Sequence, residues 1–326
     1  MIMVTGGAGF IGSNLHAALA GRGCETVVVD RLGVEGKWRN LAKHPPTRLV
    51  APEALDSYLG SNPPLQAVFH LGAISDTTAA DADLTWATNV ELSSRLWEWC
   101  AAGEIPLFYA SSAATYGDGS AGFDDAAALG YLTRLRPLNL YGWTKHVFDL
   151  RAARWLTAGA AHPPRWAGFK FFNVYGPNEY HKKSMISVVK IKYDEVAAGG
   201  AARLFRSNVP GIADGMQARD FVWVGDVVDV LLWALETDGL SGLFNVGTGQ
   251  PRTYRDLALA VCKAAGAERR IEYVDMPQNL RGQYQSFTQA NITRLRSAGY
   301  TTQFTTLEEG VRRYVQDFLM QSDPFI

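Results

Sequence analysis

Tyr141 and Lys145 stand four residues apart in the stretch LYGWTKHVF, a spacing that puts both side chains on one face of a helix. A phenol alone titrates near ~10. A neighbouring ammonium favours the phenolate and could bring that value down, making the pair a usable base near neutral pH. An isolated Y-x-x-x-K is a weak signal, since most such pairs are surface residues of a helix. It gains weight from YASSAATYG just upstream. There Ser112 falls at the carboxyl end of an apolar strand, where open α/β sheets bind ligands. Its hydroxyl is suited to bonding an oxygen that changes oxidation state.

A second constellation lies at the N-terminus, in MIMVTGGAGFIGSNLHAALAGRGCETVVVD. An apolar strand runs into Gly6, Gly9 and Gly12, then a helix, then a second strand ending in Asp30. Glycine permits the tight turn and the close approach of backbone to a pyrophosphate, and the helix N-terminus supplies N–H donors. A carboxylate about 20 residues on is placed for a ribose hydroxyl. A lone glycine triplet is weak; with strand, helix and acidic strand end in register it predicts a dinucleotide site. Asp30 favours NAD by repelling a 2′-phosphate. Arg31 and Lys37 could neutralise that phosphate and tip the preference to NADP, unless they are solvated loop charges. In such a site Lys145 could also hold the nicotinamide ribose.

These residues need strand ends and helix starts to carry them, and the chain supplies both. IMVTG, ETVVVD, LQAVFHLGA, IPLFYASS and PRWAGFKFFNVYG read as apolar strands. Amphipathic stretches, among them DLTWATNVELSSRLWEWCAAG and LYGWTKHVFDLRAARWLTAG, lie between the later ones. The alternation predicts right-handed βαβ units and a parallel, doubly wound Rossmann sheet covered on both faces. After Gly176 the rhythm loosens. SMISVVKIKYDEVAAGG looks helical and RSNVPGIADGMQA is a loop. RDFVWVGDVVDVLLWALE and GLFNVGTG then return to strand, helix and strand. The expected division is a dinucleotide domain over 1–176 plus about 220–250. A smaller, discontinuous substrate domain takes about 177–219 and 251–326.

With 31 Lys plus Arg against 32 Asp plus Glu, the net charge is -1, which argues against a nucleic-acid or membrane-surface protein. Cys24, Cys100 and Cys262 are scattered without metal spacing, so no metal site is expected. No apolar run spans a bilayer, and a strand begins almost at the first residue. The expectation is a cytoplasmic protein.

Taken in order, T-G-G-x-G-F-I-G, S-S-A-A-T-Y-G and Y-x-x-x-K resemble the extended short-chain dehydrogenase/reductases that act on nucleotide sugars. The likeness covers nearly the whole chain. HKKSM and YQSFTQA, with FNVYGPNEY, RDFVWVGDVVDV and FNVGTG, are similar more narrowly to the ADP-glyceromanno-heptose 6-epimerases. The resemblance implies inversion at carbon 6 of an ADP-heptose by transient oxidation to a ketone, with return of the hydride to the other face. No adjacent carbonyl acidifies that C–H, so direct proton abstraction is implausible. It implies catalysis by Tyr141, Ser112 and Lys145, with Lys182 as a second acid/base and Lys183 beside it as an alternative. It places the coenzyme along Phe10, Ile11, Leu71, Gly72, Ala73, Ser75, Val174 and Lys182. Asn89 would order the catalytic helix through water, or else satisfy backbone groups. It places substrate against Asn173, Ser184, Arg219, Tyr284 and Phe205. It further implies a homo-oligomer, a pentamer, supplying heptose for the lipopolysaccharide inner core.

Some features depart from that pattern. RLVAPEALDSYL lacks the usual Asp near the adenine, for which Glu53 is a possible substitute, and lacks a lysine that could meet a 2′-phosphate. The stretch from Arg206 to Ala218 is longer than the usual connection. Two rivals stand beside this reading. One is another nucleotide-sugar epimerase or dehydratase, although Ala113 and Ala114 stand where a dehydratase wants acidic groups. The other is a non-catalytic dinucleotide sensor, which would have no use for Ser112, Tyr141 and Lys145 together.

Overall fold

Seven strands form one parallel sheet: β1 Ile2–Thr5, β2 Thr26–Val29, β3 Arg48–Val50, β4 Ala67–His70, β5 Leu107–Ser112, β6 Trp166–Phe171 and β7 Ser241–Val246. A computed structural model describes residues 1–278 and 285–326. The strands lie in the order β7-β6-β5-β4-β1-β2-β3, every neighbour parallel. In β1, β2, β4 and β6 every residue is buried, as apolar strands must be when helices cover both faces.

The helices that matter for the site are α1 Phe10–Gly21, α2 Leu92–Ala102, α3 Leu140–Thr157, α4 Val188–Ala197, α5 Val224–Glu236 and α6 Tyr254–Ala264. Leu15 and Leu19 of α1 and Val227 and Leu231 of α5 pack with Phe69 and Phe108 on one face of the sheet. Trp97 of α2 and Phe148 of α3 pack with Leu107 and Tyr109 on the other. The result is the Rossmann-like, doubly wound α/β sheet that the alternating pattern predicts. A separate apolar cluster joins α4 and α6 to two short parallel strands, Ala202–Phe205 and Ile271–Val274. Among the described residues no helix is long and apolar enough to cross a membrane.

From β1 the chain runs outward to β2 and β3, then returns to β4 on the other side of β1. That reversal is the topological switch point, where open α/β sheets bind ligands beyond their carboxyl ends. It is cross-linked there: Thr5 Oγ1 lies 2.7 Å from His70 Nδ1 and accepts the Gly72 N–H at 3.1 Å.

Two segments differ in detail from their reading as single elements. PRWAGFKFFNVYG is not one strand: β6 stops at Phe171, and Asn173–Tyr175 turns away to pair with Phe221–Trp223. The ladder with β5 ends at Phe171, and the Phe172 N–H goes to the Val246 carbonyl of β7 on the other side. The helix before α2 contains a π-helical turn, Ala87–Glu91, with Asn89 in its centre. GLFNVGTG rejoins the large sheet as β7, as expected.

Candidate active site

A cavity of about 540 Å³ opens over the switch point. Its floor is the glycine turn after β1. Gly6 has φ +67°, and a Cβ there would stand 2.6 Å from the Gly72 backbone nitrogen, so only glycine lets the β1 and β4 turns meet. The first turn of α1 faces the cavity through Gly9, Phe10, Ile11 and Gly12. No side chain caps it and no acidic residue lies in it, so its N–H groups and positive dipole end are presented to the cavity. That is a seat for phosphate groups, and these residues fit the pyrophosphate of a dinucleotide.

Asp30 lines the same cavity. One carboxylate oxygen accepts the Ala8 N–H at 2.9 Å, and the other accepts the Arg31 N–H at 2.8 Å and the Lys37 ammonium at 2.5 Å. Lys37 also lines the cavity. Arg31 does not: its exposed guanidinium donates to Glu53 at 2.6 Å and leaves the site. Glu53 is thereby occupied and lies off the cavity wall. Leu71, Gly72, Ala73 and Ser75 continue the wall along the β4 turn.

Asn89 is fully buried and lies behind that wall, not in it. Its amide accepts the Ile74 N–H and donates to the Ile74 carbonyl, both at 2.9 Å, and donates to Thr144 of α3 at 3.0 Å. Of the two roles read for it, satisfying backbone groups matches this placement, and its link to α3 is direct.

Ser112, Tyr141 and Lys145 converge on one wall. Asn139 starts α3 by accepting the Gly142 N–H at 2.8 Å. A Cβ at Gly142 would meet the Ala114 carbonyl at 2.7 Å, so glycine there lets α3 close onto the turn after β5. That closure brings Ser112 within hydrogen-bonding reach of the Tyr141 phenol. Ser112 Oγ already accepts the Ala114 N–H at 3.1 Å, which leaves its own proton to donate.

The electrostatics differ from the expectation drawn from spacing. Burial raises the Tyr141 phenol above its ordinary value, with the Ser112 hydrogen bond opposing and the Asp149 carboxylate adding to the rise. Burial lowers Lys145 to about 8, and Asp149 counters this. Desolvation is the largest cause at both groups, although Lys145 is buried and Tyr141 is half-buried on the cavity wall.

Lys182 reaches the cavity from another element, a 3-10 turn over Tyr180–Met185. Its ammonium stands 5.1 Å from the centre of the Phe10 ring. Burial lowers its pKa and the nearby Glu179 carboxylate opposes. Lys183 has φ +49° and turns outward, where its ammonium pairs with Glu35 at 3.0 Å. Three asparagines hold this turn against the glycine loop. Asn14 donates to the Pro177 carbonyl at 3.1 Å. Asn40 donates to the carbonyls of Ala8 and Asn178 at 2.9 and 3.0 Å. Asn178 donates to Ser13 at 3.0 Å. None of the three stands out in the sequence; GPN after an apolar run signals a turn but not what the turn binds.

Asn173, Val174 and Ser184 line the cavity beside Lys182, and Gln285 lines it too. Phe205 lies instead in an adjoining cavity of about 380 Å³ with Tyr254, Gln217 and Lys192, and Val188 borders both. Arg219 is buried with its guanidinium 5.8 Å from the centre of the Tyr254 ring. Tyr284 lies outside the described residues.

Comparison with known proteins gives this arrangement relatives. Curated sequences named ADP-L-glycero-D-manno-heptose-6-epimerase are 47% identical in Nitratidesulfovibrio vulgaris and 41% in Fusobacterium nucleatum, each over 100% of both chains. The crystal structure of the Helicobacter pylori protein of that name superposes with a TM-score of 0.80 at 27% identity, covering 97% of this chain and 95% of that one. The Thermus thermophilus UDP-glucose 4-epimerase in complex with NAD gives 0.73 at 27% identity, with coverage of 96% and 97%. The model of the NAD dependent epimerase/dehydratase family matches residues 2–247, and the chain belongs to that family.

Proposed function

We propose that the protein inverts carbon 6 of ADP-D-glycero-D-manno-heptose to give ADP-L-glycero-D-manno-heptose, with NADP as its resident coenzyme. The observation that carries the reading is that two proton-handling groups, Tyr141 and Lys182, enter one cavity from different elements while Lys183 turns away. A nicotinamide held along this cavity would supply reversible hydride transfer at carbon 6, out from one face and back to the other. Such a return presents the reacting oxygen in two orientations, and each needs a group to hold or take its proton. Burial pushes these two apart, the phenol toward keeping its proton and the Lys182 amine toward losing it. Ser112 donates a hydrogen bond to the reacting oxygen. Lys145 supplies positive charge beside Tyr141 and a donor to the ribose.

The glycine turn and α1 hold the pyrophosphate, and Asp30 with Lys37 holds the adenosine ribose. NADP is favoured because the Lys37 ammonium neutralises the carboxylate that would repel a 2′-phosphate. NAD is the second reading, favoured by Asp30 itself and by the departure of Arg31 to Glu53. Asn173 and Ser184 take the sugar and phosphate. The adjoining cavity with Phe205 and Tyr254, backed by Arg219, takes the ADP portion. In this division 1–176 and about 220–250 serve the dinucleotide, and about 177–219 and 251–326 serve the substrate. The working form is a homo-oligomer, a pentamer, to be checked by light scattering.

The test is incubation with the ADP-heptose in D2O, followed at carbon 6 by NMR. Inversion without deuterium at carbon 6 and without net coenzyme reduction is expected. Deuterium on that carbon, or turnover only of another nucleotide sugar, overturns the reading.

A further inference from the structure

Asp149 and Lys170 form an ion pair with no solvent exposure on either side chain, 2.6 Å apart. Asp149 lies on α3, four residues beyond Lys145 and eight beyond Tyr141, so it shares their face of the helix. Lys170 lies on β6, beside β5. A fully buried pair is weak evidence for stability, since desolvating two charges offsets their attraction. Its place in the site therefore needs another account.

The pair is bonded to both elements that carry the catalytic wall. Asp149 accepts the Tyr109 hydroxyl at 3.0 Å and the Ser111 hydroxyl at 2.7 Å, both on β5. The Lys170 ammonium donates to Thr115 Oγ1 at 2.7 Å, and Thr115 donates to the Ser112 carbonyl at 2.8 Å. Lys170 also stands 5.0 Å from the centre of the Tyr116 ring. A chain of hydrogen bonds, charge-assisted at Asp149 and Lys170, thus runs from the helix of Tyr141 and Lys145 to the backbone of Ser112. Such bonds are short and directional, and they resist the small displacements that degrade catalysis.

Resting on the reading above, we propose that the Asp149–Lys170 pair is a positioning joint, which fixes Ser112 against Tyr141 and Lys145 and gives Lys145 its counter-charge. Asp149 of its own helix and His70 of β4 act on Lys145, and Tyr141 lines the same cavity. His70 is wholly buried and pushed down to about 3, so it contributes no positive charge at neutral pH. Around Asp149 stand Lys170, Tyr109, Tyr116 and His146, and burial lowers His146 below its ordinary value. Asp149 is the carboxylate among the groups that act on Lys145.

The test compares Asp149→Asn, Thr115→Val and Lys170→Arg in the full chain, by steady-state kinetics and by 13C NMR titration of Lys145 in lysine-labelled protein. Asp149→Asn should cut kcat on the order of 10²-fold with KM little changed, the cost of a small misplacement of reacting groups. The Lys145 titration should move down by about one pH unit as the opposite charge is removed. Thr115→Val keeps both charges of the ion pair and removes the bonds from Lys170 to Thr115 and from Thr115 to the Ser112 carbonyl; it should lower kcat by a smaller factor without moving that titration. Lys170→Arg should retain most of kcat. Parental kcat in both Asp149→Asn and Thr115→Val, or a Lys145 titration unmoved by Asp149→Asn, overturns the proposal. If Asp149→Asn does not fold, Thr115→Val decides. The NMR arm needs no substrate, so it stands if the parent fails to turn over an ADP-heptose, an outcome that would sink the functional reading alone.

Discussion

Ser112, Tyr141 and Lys145 sit on a strand end and the first turns of a long helix, whereas Lys182 sits on a turn of six residues. The first wall is pinned by a wholly buried ion pair, by close helix contact at Gly142 and by a large apolar cluster. The second is held by amide hydrogen bonds from Asn14, Asn40 and Asn178 and by the rim pair Lys183–Glu35. On the proposed reading, the two proton-handling groups are thus mounted by different means. The phenol stands on a long helix packed into the apolar core, and the amine stands on a short turn held by side-chain amides.

The sharpest way to break this comparison is Tyr141→Phe. It should cost ~10²–10⁴-fold in turnover, the range for a lost general acid–base group, with dinucleotide binding by fluorescence unchanged. Retained turnover would remove Tyr141 from the chemistry. Next, Lys182→Met should cost on the order of 10²-fold, while Lys183→Met, which breaks only an exposed pair, should leave turnover unchanged. The reverse ranking would put the second group on the wrong lysine.

A pH profile sharpens the first wall. Lys145 is an ammonium below about 8 and neutral above it, so its support of the phenol is present on the acid side and lost as pH rises through that value. Turnover at saturating substrate should fall on that alkaline limb, and in Asp149→Asn the limb should begin lower. The smallest effect belongs to the second wall. Asn178→Ala loses the bond to Ser13 and places a Cβ-bearing residue without a polar end at φ +69°. A loss of about 1–3 kcal/mol of stability by thermal melting is expected, and Asn178→Gly should recover the backbone part.

Much of the first wall is legible in the chain itself. The glycine turn, Asp30, Ser112 and the Tyr141–Lys145 spacing each follow from local rules of strand end, helix start and helix period. The charge states are not legible. Spacing predicts a phenol pulled down by its lysine, but burial raises the phenol and lowers the lysine, and burial belongs to the packed molecule. Arg31 looks equivalent to Lys37 along the chain; Glu53, 22 residues away, takes it out of the cavity. Asn89 admits two roles until its partners, Ile74 and Thr144, are packed around it.

Local pattern by itself determined the order of strands and helices, the phosphate turn and the pairing of Tyr141 with Lys145, because period and backbone freedom act over a few residues. Only the tertiary structure decided that Lys182 faces inward and Lys183 outward, and that Asp149 meets Lys170 beneath the catalytic wall. Those outcomes depend on desolvation and on contacts between residues far apart in the chain, and neither exists until the sheet has closed around them.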